Sequence, residues 1–110
     1  MIKNPDFELF KNEFPEVYES FGSVYQSVSS NALDEKTKQL VYLGVLPANR
    51  YAPAIRVHIA KALEVGATPE EIQGAIMLSI PAGGICDFFA ILPEIINGLK
   101  KECKGEEVNE

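Results

Sequence analysis

No segment of this chain alternates apolar with polar residues for long enough to make a β-strand, whereas apolar residues recur three and four positions apart along most of its length. That spacing restricts the fold to helices packed on helices, because a helix with one apolar stripe is stable only where another element covers the stripe. The sharpest punctuation is Thr68-Pro69-Glu70-Glu71. The Thr68 hydroxyl is placed to accept from the Glu71 amide, the Glu71 carboxylate to reach back, and Pro69 to occupy a first helical position where its missing N–H costs nothing. A helix has to begin there.

The other helices follow from the same logic. The first is expected to start at Pro15 with the stripe Val17, Phe21, Val24, Tyr25 and Val28, preceded by a helical lead-in carrying Phe7, Phe10 and Phe14. Asp34 is a good N-cap for a second, which is apolar on nearly every side from Leu40 onward and so belongs at the buried centre or against another subunit. Two prolines, Pro47 and Pro53, predict a distorted turn before a third helix over residues 54–65, stopped by Gly66. The fourth, beginning at the capping box, carries Ile72, Ala75, Ile76, Ser79 and Ile80 and is expected to end at Pro81. After Pro81-Ala82-Gly83-Gly84 comes a fifth, with the seam Ile85, Phe88, Phe89, Leu92, Ile95, Ile96 and Leu99 and a kink at Pro93. The expectation is an all-α compact domain of five to six helices over residues 1–100 and a frayed polar tail over 101–110.

Charge and cysteine usage exclude several functions. A chain of 110 residues with 46% hydrophobic and 24% charged residues has the composition of one globular domain, and its net charge of −6 repels nucleic acid and anionic membranes unless cations cluster. Lys36, Lys38, Arg50, Arg56, Lys100, Lys101 and Lys104 are instead scattered among acids. The longest mostly apolar run, residues 40–48, falls far short of the ~20 a spanning helix needs. Residues 1–10 carry Asp6 and Glu8 and do not resemble a secretory signal, so a cytoplasmic location is expected. The two cysteines, Cys86 and Cys103, form neither a CxxC nor a disulfide framework and read as reduced thiols.

Few residues can carry chemistry. His58 is the single histidine, and Tyr51, Ala54, Ala62 and Val65 share its helical face. It is either a satisfied structural residue or a general acid or base in a small apolar pocket, and in the second case a group from another helix or subunit must set its tautomer. Tyr51 is the nearest hydroxyl in sequence. Cys86 falls in the first turn of the fifth helix, where amide donors favour a thiolate, and is either a candidate nucleophile or a small buried hydrophobe. Gly83 and Gly84 leave the start of that helix bare for an anion, or simply let two helices pack closely, and Asp87 opposes both the thiolate and the anion. Arg56 reads as a solvated cation. With one histidine and no metal-ligand spacing, neither a metal site nor a cofactor is expected.

The runs Leu33-Asp34-Glu35-Lys36-Thr37-Lys38-Gln39-Leu40, Arg56-Val57-His58, Ala62-Leu63-Glu64-Val65-Gly66-Ala67-Thr68-Pro69-Glu70-Glu71-Ile72 and Gly83-Gly84 resemble the carboxymuconolactone decarboxylase family, whose superfamily includes the AhpD-like alkylhydroperoxidases. The resemblance implies an all-α fold assembled as homo-trimers or hexamers, with active sites near subunit contacts. In the peroxidase branch a CxxC precedes the matched histidine and a glutamate relays protons. Those positions are held here by Tyr51, Ala54 and Gln39, so of that machinery His58 alone remains, and a dithiol mechanism lacks its dithiol. The decarboxylase branch needs no cysteine pair. It implies a small-molecule substrate, an organic acid or lactone, with His58 as proton donor or base in an apolar pocket of Tyr51, Ala54 and Ala62; Tyr51 and Ala54, with Gly83 and Gly84 as the anion-receiving helix start, are the expected substrate-binding positions. The alternatives are a peroxide-reducing protein using Cys86 as a lone thiol and a non-catalytic oligomeric binding module.

Overall fold

The structure is a computed structural model describing residues 4–106. All regular structure among them is helical: α1 (Pro5–Glu13), α2 (Pro15–Ser29), α3 (Glu35–Val45), α4 (Ile55–Glu64), α5 (Pro69–Met77), α6 (Ser79–Gly83), α7 (Ile85–Ala90) and α8 (Leu92–Gly98). Short 3-10 turns at Leu46–Asn49 and Ala52–Ala54 fill the proline-containing connection from α3 to α4, with Arg50 in the left-handed region at φ 56°.

The local start signals act as the sequence implies. The Asp34 carboxylate accepts from the Thr37 amide at 2.7 Å, and Thr68 and Glu71 close both halves of the capping box at 3.1 and 2.9 Å. Gly66 stops α4 with φ 95°. There are more segments than expected because the lead-in is a helix in its own right and the last two predicted helices are each divided.

Pro81 does not end its helix. It is the third residue of α6, within the first turn, where backbone N–H groups have no intrahelical partner and a missing one costs little. The chain breaks instead at Gly84, φ 99°. The division at Ile91, just before Pro93, is the kink expected in the fifth helix, and it separates α7 from α8.

The core is built by α3, α4, α5, α7 and α8 around Leu43, Ile55, Ile59, Ala62, Ile72, Ile76, Phe88, Ile91 and Ile95. Leu43, Ile55, Ile59, Ile72, Ile76 and Ile95 are almost wholly withdrawn from solvent. Each such side chain stabilises the fold by about 1.5–3 kcal/mol, and none of them belongs to the N-terminal helices. Only part of the predicted fifth-helix seam joins it, since Ile85, Phe89 and Ile96 remain exposed.

Helices α1 and α2 form a hairpin that contributes no buried residue. Its own helices are held together by aromatic contacts: Phe7 stacks on Phe21 with centroids 6.0 Å apart, and Phe10 meets Tyr18 edge-on at 5.9 Å. Polar clasps attach it to the core. The Tyr51 hydroxyl donates to Asp6 Oδ2 at 2.6 Å and accepts from Asn4 Nδ2 at 2.7 Å, while Lys38 Nζ donates to the Ser29 carbonyl at 2.7 Å.

The polar tail starts helical and leaves the helix at Gly105, φ 68°. Leu99–Cys103 continues α8 as a π-helical turn, and Glu102 Oε2 accepts from Arg56 Nε at 2.6 Å. Arg56 is therefore an ion-paired residue bridging α4 to the C-terminal turn, not a solvated cation. Residues 107–110 of the predicted tail lie outside the described residues.

Candidate active site around His58

His58 projects from α4 toward α3, and two α3 residues one turn apart receive it. Gln39 Oε1 lies 2.7 Å from His58 Nδ1, and the Tyr42 ring stacks on the imidazole with centroids 4.2 Å apart and planes 15° from parallel. A carbonyl oxygen only accepts, so Nδ1 carries the hydrogen and Nε2 keeps its lone pair. The required orienting group thus comes from another helix of the same chain.

Burial pushes the His58 pKa down from 6.5 to about 4, and the nearby Lys61 ammonium adds to the shift. The ring is neutral at pH 7. A neutral ring with its hydrogen on Nδ1 can accept a proton at Nε2 and holds no extra proton to donate. Burial likewise raises the Tyr42 phenol, with Tyr25 contributing next.

Between the hairpin and the α3–α4 wall runs a groove of about 1240 Å³ onto which His58, Tyr42, Tyr51 and Ala54 all open. Phe7, Tyr18 and Phe21 supply the opposite wall, and Leu46 and Val57 extend the apolar surface. Glu8 and Glu19 on the hairpin and Lys61 on α4 are its charged groups. The predicted stripe of α2 is thus turned partly into this groove, through Phe21 and Tyr25, and partly outward. A smaller pocket of about 410 Å³ lies beside it, with Gln39 and Tyr42 in its wall but not His58.

Tyr51 and Ala54 stand where the sequence placed them, beside His58. The Tyr51 hydroxyl is already engaged by Asn4 and Asp6, and burial followed by the Asp6 contact raises its pKa, so it serves as a clasp before it can serve a substrate. Gly83, Gly84 and Cys86 do not line the groove. A Cβ on Gly83 would stand 2.5 Å from the Ala48 Cβ, and Gly84 needs its positive φ, so packing and chain reversal account for both glycines. Cys86 is exposed on the six-residue α7, not buried as a small hydrophobe, and the neighbouring Asp87 pairs with Arg50 at 2.6 Å. Cys103 packs against the core, and burial raises its thiol. Among the described residues no group of three or more His, Cys, Asp or Glu side chains could hold a metal ion, and no helix is long and apolar enough to cross a membrane.

Tyr42 and Lys61 are functional-site residues that no sequence motif marks. The signal for each was helical spacing, Tyr42 three residues after Gln39 and Lys61 three residues after His58.

The domain is all-helical, and it orients its single histidine, neutral at pH 7, from a neighbouring helix at the wall of an aromatic groove. Comparison with known proteins places it more closely: residues 15–94 match the carboxymuconolactone decarboxylase family, and the chain belongs to that family. It is also 31% identical over 97 residues to an uncharacterized protein of Methanocaldococcus jannaschii, an alignment covering 87% of this chain and 91% of the relative. No solved structure matches it significantly.

Proposed function

We propose that the protein is an acid/base enzyme, a lyase or decarboxylase acting on a small organic acid or lactone bound in the groove, with His58 Nε2 as the proton-transferring atom. The observation that carries this reading is the Gln39 contact to His58 Nδ1, which fixes the tautomer and leaves the opposite nitrogen basic. A neutral base takes a proton from an acidic C–H or O–H of the substrate and returns it at another atom of the same molecule, which balances for lactone rearrangement. For decarboxylation the net change is R–COOH to R–H and CO2: the carboxyl proton passes to Nε2, the C–C electrons stay on carbon, and the imidazolium delivers the proton there. The apolar lining disfavours a localised carboxylate charge relative to the dispersed charge of the transition state in which CO2 departs.

The test is a screen of lactones and organic acids, followed by proton NMR in deuterated buffer, on wild type and His58→Ala. Loss of turnover and of deuterium incorporation in the variant, with its melting temperature nearly unchanged, supports the assignment; full turnover by His58→Ala ends it.

The exposed apolar face of α2 supports a homo-oligomer, the trimer or hexamer that the family resemblance implies. Val17, Val24 and Val28 share that face and are 57%, 56% and 62% exposed, and apolar surface of this kind marks interfaces. Native mass spectrometry giving only monomer at micromolar concentration would overturn the assembly. The two free thiols, with no disulfide between them, fit a reducing, cytoplasmic location.

A further inference from the structure

We propose that the small molecule taken by the groove is an aromatic or alicyclic compound bearing one carboxylate, with that carboxylate held by Lys61 and the apolar body lying against Phe7, Phe21 and Tyr42. This rests on the groove being the substrate site of the reading above, and it names the substrate class.

The distribution of charge is the first ground. Lys36, Lys38, Arg50 and Arg56 are each ion-paired, to Glu71, Glu35, Asp87 and Glu102 respectively. Lys61 is the one cation lining the groove, it has no carboxylate within ion-pair reach among the described residues, and its ammonium adds, after burial, to the lowering of the His58 pKa. Three residues of helix separate the two, a rise of roughly 4.5 Å. A carboxylate seated on Lys61 therefore brings atoms a few bonds further along the ligand toward His58.

The opposite wall sets the rest of the ligand. Glu8 and Glu19 repel a second carboxylate, and no second cation lines the groove to receive one. What remains on that side is aromatic, and a groove of about 1240 Å³ has room for a ring system against Phe7, Phe21 and Tyr42. An ammonium stabilises the carboxylate it holds and opposes its departure, so the carboxylate on Lys61 is a handle, and of the two reactions proposed above a ligand with this single carboxylate fits the lactone-type proton transfer and not decarboxylation.

Calorimetric titration with naphthylacetate, its neutral amide, naphthylmethylamine and a naphthalene dicarboxylate tests this on wild type, Lys61→Met and His58→Ala. Lys61 is exposed, so its replacement leaves the core intact. The expected result is that wild type and His58→Ala bind the monocarboxylate about tenfold tighter than the amide, and that Lys61→Met binds the two equally. Equal affinity for acid and amide in wild type, a preference that survives Lys61→Met, tighter binding of the amine or the dicarboxylate, or no saturable binding of any probe each overturns the proposal. A Lys61-dependent preference in a protein without His58-dependent turnover would sink the catalytic reading and leave the binding site standing.

Discussion

Gln39 Oε1 sits 2.7 Å from His58 Nδ1, and this one contact decides which nitrogen of the imidazole is free to react. An amide at this position orients the ring without adding charge. A carboxylate there would stabilise imidazolium and pull the pKa upward. Gln39→Glu is accordingly expected to raise the His58 pKa from about 4 toward its ordinary value, read from the imidazole proton shifts against pH. Gln39→Leu, which removes the acceptor, should lower turnover by about ten- to a hundredfold with KM little changed, less than the ~10²–10⁴-fold of a whole acid/base group because the imidazole itself remains. An unchanged titration in Gln39→Glu would mean that the contact does not govern the ring.

The depressed pKa has a consequence for stability whose sign is fixed. The unfolded chain binds a proton at His58 below pH 6.5, whereas the folded one does so only near pH 4, so between those values the unfolded state holds more protons and stability falls as pH falls. Discounted for the partial exposure of the ring, the loss from pH 7 to pH 4 attributable to His58 is about 1–2 kcal/mol. Urea unfolding of wild type and His58→Asn across this window measures it: the variant should show the shallower dependence. The same pKa predicts that kcat/KM stays flat down to about pH 5 instead of dropping near 6.5.

Close packing, not ligand binding, explains Gly83. A methyl group there would meet the Ala48 Cβ at 2.5 Å, so Gly83→Ala forces α6 away from the turn after α3. Overpacking of this kind costs about 1–3 kcal/mol, while affinity for groove ligands should not change, because Gly83 does not line the groove. Denaturant midpoints and titrations on the same sample separate the two effects. A variant of native stability that lost ligand affinity would restore Gly83 to the binding site.

How much of this was legible in the sequence depended on the range of the interaction. Asp34, the Thr68 capping box and Gly66 act within one helical turn, so helix starts and stops could be read directly. Pro81 misled because a proline in the first turn of a short helix and a proline that ends a longer one are identical in one dimension, and what distinguishes them is the break at Gly84. His58 was visible as the single histidine, and the adjacent Tyr51 and Ala54 with it. Its tautomer was not, because Gln39 and Tyr42 arrive from a helix whose rotation is set by the burial of Leu43. The partner of Arg56, Glu102, lay in what reads as a polar tail, and only the folded chain shows that the tail turns back on α4.

Tyr51 ties the hairpin to the core at the edge of the groove, donating to Asp6 Oδ2 and accepting from Asn4 Nδ2. With no buried residue in α1 or α2, the hairpin has little apolar attachment of its own within the chain, so these polar contacts carry more weight than their usual ~0.5–1.5 kcal/mol each would in a packed core. Tyr51→Phe keeps the ring that lines the groove and deletes both bonds. Global stability should fall by about 1 kcal/mol or less, since the unit around Leu43, Ile59 and Ile76 is untouched, but amide hydrogen exchange in α1 and α2 should accelerate by about tenfold while α4 and α5 keep their protection. Uniform acceleration across all helices would show instead that hairpin and core open as one.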